Sequence, residues 1–124
     1  MGRNVILAGT GFYNRASIIQ RHCRNGLKAV LKREPDNPHD PNAIAVFIEV
    51  PRLFGLLGSA LQQIGYIKAS AAKGLAKRID EGLSIQARVA SVFAPSGRDY
   101  PRVSLELDYG TTFRSNTKAE DRKE

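Results

Sequence analysis

The sequence is poor in several residue types, and each shortage narrows its chemistry. It has a single cysteine, Cys23, in 124 residues. No disulfide can form within the chain, so a reducing compartment is the expected setting. No apolar run approaches the roughly 20 residues needed to span a bilayer. The opening residues lack the basic, apolar and small-residue succession of a signal peptide. A cytoplasmic protein with no membrane partner is therefore expected. There are only two histidines, His22 and His39. No paired-histidine motif, nucleophile elbow or well-spaced carboxylate cluster is present, which points away from an enzyme and from any cofactor. Internal repeats and low-complexity tracts are also missing.

Acidic residues are absent from the first quarter of the chain. Arg3, Arg15, Arg21, Arg24, Lys28, Lys32 and Arg33 all precede the first acid, Glu34, and the net charge is +7. A second basic group is Lys68, Lys73, Lys77 and Arg78. A positive field attracts polyanions, because each phosphate it neutralises releases condensed counterions. Nucleic acid, acidic lipid and acidic protein all meet that condition. Cys23 lies between His22 and Arg24, which can lower a thiol pKa, but a half-buried, inert helix cysteine is the commoner outcome.

The length fits one domain with a self-sufficient core. Val5 to Ala8 reads as a strand ending at Gly9-Thr10-Gly11. Asn14 is placed to cap a helix reaching about Arg24, with Ile18, Ile19 and Cys23 on its apolar face and Arg15, Arg21 and Arg24 on the other. Leu27 to Glu34 reads as a strand, Pro35 to Asn42 as a loop, and Ala43 to Glu49 as a strand buried on both faces. Pro51 to Ala60 is apolar but broken by Pro51, Gly55 and Gly58. It reads as a long connection leading to a strand from Gln62 to Ile67. Ser70 to Glu81 is the clearest helix, with Ala72, Leu75, Ala76 and Ile79 as its buried stripe. Leu83 to Phe93 is a strand with Ile85, Ala87, Val89 and Ser91 on one face. A last strand alternates at Val103, Leu105 and Leu107. Six short strands and two helices predict a mainly β, α+β fold, closed or partly closed into a barrel. Residues 1–109 are expected to form the domain and residues 110–124 a disordered polar tail. The domain then carries 15 basic and 9 acidic residues, so the positive field belongs to it.

Three segments are candidates for chemistry. Gly9-Thr10-Gly11 lies between a strand and a helix but lacks the remaining signals of a dinucleotide site or P-loop. It is better read as a tight turn presenting Phe12 and Tyr13. In Asp36-Asn37-Pro38-His39-Asp40-Pro41-Asn42, the side chains of Asp36, His39 and Asp40 are weak candidates for a metal site. The default for that loop is a proline-stiffened turn. Phe12, Tyr13, Tyr66, Tyr100 and, less strongly, Phe93 are aromatics within a basic chain, the combination on which single-strand binders stack bases.

In the order GTGFYN, KREPDNPHDPNAIAV, IGYI and LAKRIDEG, the chain resembles the HIRAN domain family from about Val5 to Tyr109. The stretch from Arg33 to Val46 is the most specific part. The resemblance implies an OB-like β-barrel. Its best understood members sit at the N-terminus of SNF2-type helicases and hold the 3′ end of a DNA single strand. It implies that Phe12 and Tyr13 contact the terminal nucleotide. Asp40 would accept a hydrogen bond from the terminal 3′-hydroxyl; the rest of the family's loop falls on Asp36, Asn37 and His39, and the family's residue after the strand glycine on Tyr66. Gly11 stands where 3′-end-binding members carry a basic residue, and the connection from Val50 to Gln62 is longer than usual. No helicase motif is present, so the chain resembles the stand-alone type.

The expectation is thus a non-enzymatic binder of single-stranded DNA with a preference for free 3′ ends, acting in repair or at replication forks. The contact residues would be Phe12, Tyr13, Lys32, Asn37, His39, Asp40, Tyr66, Lys68, Lys73 and Tyr100. The alternatives are an adaptor that engages a helicase or nuclease through Leu53 to Leu61, and a metal-dependent nuclease built on Asp36, His39 and Asp40.

Overall fold

Period-two apolar patterns recur along this chain, and they close into a single barrel. A computed structural model describes residues 2–94 and 101–109. Tyr100 and the polar segment 110–124 lie outside the described residues. Strands β1 (Gly2–Ala8), β2 (Lys28–Arg33), β3 (Ile44–Pro51), β4 (Ser59–Ile67), β5 (Gln86–Phe93) and β6 (Arg102–Asp108) are accompanied by helices α1 (Arg15–His22) and α2 (Ala69–Asp80). The strand order around the barrel is β1-β4-β3-β2-β5-β6, closing back on β1, and every pairing is antiparallel. The architecture is the expected OB-like α+β barrel.

Alternation decides which side chains point inward. Val103, Leu105 and Leu107 of β6 are completely buried. They share the core with Val5 and Leu7 of β1, and with Ala87 and Val89 of β5. β3 buries Ile44, Ala45, Val46 and Ile48, so its central part is covered on both faces as its composition suggests. α1 adds Ile18 and Ile19 to the core, while α2 adds Ala72, Leu75 and Ala76. Ile79, expected in that stripe, is only half-buried, because it lies in the last turn.

Several element ends differ from the sequence reading. β1 starts at Gly2, three residues before the apolar run, because Gly2 to Asn4 pair with β6. α1 ends at His22, and Cys23 is already extended, with ψ of 133°. Asn14 stands at the N-cap position, but its side chain makes no cap hydrogen bond. β5 begins at Gln86, leaving Leu83 to Ile85 outside the ladder. Ser91 points outward rather than inward. The pairing skips Ala90 between Val89 and Ser91, and that bulge reverses the alternation so that Val92 turns toward the core.

The largest revision concerns residues 51–60. β3 and β4 pair as far as Pro51 opposite Ser59, so this segment is the end of a long hairpin and not an open connection. Its tip is held by backbone hydrogen bonds from Arg52 N–H to Gly58 O (2.9 Å) and from Leu56 N–H to Leu53 O (2.9 Å). Leu53 and Phe54 adopt left-handed φ values of 48° and 55°. That conformation costs non-glycine residues about 1–3 kcal/mol each. The tip leaves Leu53, Phe54, Leu56 and Leu57 exposed to solvent.

Candidate nucleic-acid interface

At one end of the β3–β4 hairpin, three segments converge: the turn after β1, the loop between β2 and β3, and the end of β4. Gly9 allows the turn its left-handed φ of 72°. Thr10, buried, fixes the turn by donating a 2.6 Å hydrogen bond to Pro101 O at the start of β6. The chain then places Phe12 and Tyr13 on the surface, Tyr13 being 88% exposed. Tyr13 has a φ of 58°. A large side chain in that region marks local strain, which persists only where the surroundings enforce it.

Arg15, the first residue of α1, was expected on the solvent face of that helix. It is instead 7% exposed. Residues three and four positions apart share a helix face, so Arg15 follows Ile18 and Ile19 inward. Its Nη1 donates to Gly9 O at 2.9 Å. Its guanidinium carbon lies 5.1 Å from the centroid of the Tyr13 ring and 5.5 Å from that of Tyr66. The cation is therefore bracketed by two aromatic rings. No carboxylate pairs with it among the described residues.

The loop from Pro35 to Asn42 is organised by its own side chains. Asn37 Oδ1 accepts the N–H groups of His39 (2.8 Å) and Asp40 (3.1 Å). Asp40 Oδ1 accepts the Asn42 N–H at 2.9 Å, and Asp40 O accepts the Ala43 N–H at 3.1 Å. Asp40 thus shapes the turn with one carboxylate oxygen. Its Oδ2 has no hydrogen-bond donor among the described residues. Glu34 ties the loop to β4: its Oε1 accepts both the Tyr66 hydroxyl (2.9 Å) and Asn37 Nδ2 (3.0 Å).

These segments enclose an open pocket of about 380 Å³. Of the residues expected to bind, it brings together Phe12, Tyr13, Asn37, His39, Asp40 and Tyr66, and it adds Arg15. Lys68 is exposed between two pocket residues, Ile67 and Ala69, at the N-cap of α2, and Lys73 is exposed farther along that helix. Lys32 is not brought in. Its ammonium lies over the Phe47 ring, 5.2 Å from the centroid. Phe93 is exposed on β5 opposite Arg102, outside the pocket. Asp36 is exposed and does not line the pocket, and no group of three metal-ligating side chains converges among the described residues. Burial pushes the Cys23 thiol up to about 11, so it stays protonated at neutral pH and its basic neighbours do not activate it.

Arg33 fixes the loop from below. Its Nη1 donates to Ala43 O (2.8 Å), while Nε and Nη2 form a fork on Asp80 of α2 (2.9 and 3.0 Å). The Arg33 guanidinium holds the Asp80 carboxyl below its ordinary range, chiefly through these hydrogen bonds.

The sequence matches the HIRAN domain family over residues 4–108. The chain belongs to the HIRAN domain family. Its fold is similar to the HIRAN domain of human HLTF, with a TM-score of 0.59 and 22% identity, covering 87% of this chain and 74% of that one. It is also similar to a protein from Lactobacillus plantarum, with a TM-score of 0.60 and 21% identity, covering 84% of this chain and 89% of that one. At such identities the likeness is one of fold. No curated protein matches the sequence. The pocket of this HIRAN domain draws on both the Gly9–Arg15 turn and the Asp36–Asn42 loop, two of the motifs on which the family resemblance rests.

Proposed function

We propose that this HIRAN domain is a non-enzymatic DNA-binding module that takes a single strand by its free 3′ end. The observation that carries this reading is one pocket that brings together a buried arginine with no carboxylate partner among the described residues, exposed aromatic rings, and a carboxylate whose second oxygen has no donor among them. Arg15 supplies a cation for the last phosphodiester, because burial without a counter-charge favours an incoming anion. It takes over the basic contact that Gly11 cannot make. Tyr13, Phe12 and His39 offer ring faces for bases. Asp40 Oδ2 accepts a hydrogen bond from the terminal 3′-hydroxyl. A carboxylate repels an internal phosphodiester or a 3′-phosphate but welcomes a hydroxyl, so one residue discriminates ends by charge. Lys68 and Lys73 strengthen the surrounding field. Such an activity suits strand ends exposed in repair or at stalled forks.

Asp40→Asn tests this reading. The amide keeps the size of the side chain and removes the charge. The variant is expected to bind a 3′-hydroxyl strand more weakly, while affinity for the same strand ending in a 3′-phosphate holds or rises. A charge-assisted hydrogen bond is roughly twice as strong as a neutral one. A loss of thermal stability with unchanged end preference would mean that Asp40 only shapes its turn.

A second reading rests on the hairpin tip. Four exposed apolar side chains on a hydrogen-bonded turn form a surface suited to a helicase or nuclease partner. Salt-dependent binding of isolated DNA by the purified protein separates the two, since an adaptor alone has no such affinity.

A further inference from the structure

The terminal pocket does not stand alone. β4 pairs with β1 only at Tyr66 and Ile67, so its edge toward Ser59 has no strand partner among the described residues. α1 packs alongside β4 there. Between them run two further clefts, of about 400 and 230 Å³. The first shares Tyr13, Arg15 and Tyr66 with the terminal pocket, and shares Asn14 and Gln62 with the second. Through these shared residues the three clefts follow one another from Asp40 toward the tip of the β3–β4 hairpin, where Val50 and Gln62 lie.

The groove beyond the pocket has a consistent chemistry. Its walls carry the amides of Asn14, Gln62 and Gln63, the hydroxyl of Ser17, and the basic side chains of Arg21 and His22, and no carboxylate lines either cleft. Arg21 is exposed and makes no ion pair among the described residues. The Asn14 side chain is not used to cap α1. Gln63 Nε2 donates to Gly65 O at 3.2 Å, whereas the side chains of Asn14, Ser17 and Gln62 have no hydrogen-bond partner among the described residues. Such donors, with Arg21 beside them and no acid in the lining, match a sugar–phosphate backbone and exposed base edges.

We infer that this groove is the track for the body of the strand, with the nucleotides on the 5′ side of the terminal one laid between α1 and the edge of β4. The inference rests on the 3′-end reading of the pocket and gives it a direction: the strand leaves toward the hairpin. From Tyr66 to Gln62 the β4 edge spans about 13 Å at the usual rise per residue. That length suits a site of about four nucleotides, the low end for OB-type barrels.

Polarisation competition with two oligodeoxythymidylates, a dinucleotide and a decanucleotide, each with a free 3′-hydroxyl or a 3′-phosphate, tests the track. The wild type is expected to bind the decanucleotide more tightly than the dinucleotide, with the hydroxyl preferred at both lengths. Arg21→Gln should lower decanucleotide affinity and reduce its log–log salt slope by about 0.7, the value for one phosphate contact on a single strand. It should leave dinucleotide affinity unchanged, which also reports that the fold is intact, and Arg21→Lys should restore the slope. Equal affinity for both lengths, or an equal effect of Arg21→Gln on both, would overturn the track while leaving the pocket reading in place. Loss of the hydroxyl preference at both lengths in the wild type would overturn the pocket reading and the track together.

Discussion

An arginine at 7% exposure whose partners among the described residues are a carbonyl oxygen and two ring faces is costly to bury. Its neighbour Tyr13 holds a left-handed backbone, a second local cost on the same turn. Together they place a cation and an exposed ring at one pocket mouth. Tyr13→Gly separates the two effects. Glycine adopts that φ freely, so the variant should gain up to about 1 kcal/mol of stability. It should lose about 1–3 kcal/mol of single-strand affinity with the ring, read by thermal melting and titration side by side. Unchanged affinity would show that Tyr13 does not stack on bases. Arg15 itself was legible in principle: its spacing to Ile18 and Ile19 puts it on the buried face. The charge of the residue suggested the opposite, because an arginine on a helix is usually solvated. Asp40 and Tyr66 were legible from the family resemblance. Their bonding partners, Asn42 and Glu34, were not, since nothing in the local spacing joins Glu34 to Tyr66 across 32 positions.

At the scale of elements, β6 was readable because each of its inward residues is apolar and each outward one is polar. β4 was not. Its pairing skips Ile64 between Gly65 and Gln63, and both Ile64 and Gly65 are buried, so the period breaks where the pocket is built. A glycine within a strand often marks such a bulge, and Gly65 stands beside this one. The hairpin end was likewise hidden, because Pro51, Gly55 and Gly58 suggest a loose connection and only the ladder shows that pairing runs to Pro51. Gly65 has a specific steric role beside the bulge. A Cβ at this position would lie 2.7 Å from Ala8 O, on the short seam that joins β1 to β4. Gly65→Ala should therefore push these strands apart and destabilise the protein by about 1–3 kcal/mol, the usual range for overpacking. DNA affinity should fall as well, because Ala8 and Tyr66 line the pocket on either side of that seam. A variant with wild-type melting and binding would show that the seam relaxes without cost.

For the whole molecule, the positive field and the pocket are separate determinants. Fifteen basic against nine acidic residues in positions 1–109 draw any polyanion toward the barrel, and that attraction weakens with salt. The field cannot tell a strand end from a strand interior. In the proposed reading that distinction falls to the pocket, which Asp40 and Arg15 line together with Tyr13 and Tyr66. The most direct measurement is a polarisation titration of the wild-type protein at fixed salt. It compares one single-stranded oligonucleotide ending in a 3′-hydroxyl with the same strand ending in a 3′-phosphate. Tighter binding of the hydroxyl strand, despite its smaller negative charge, is the result predicted here. Equal binding, or tighter binding of the phosphate strand, would mean that charge alone governs the interaction and would contradict recognition of the 3′ end.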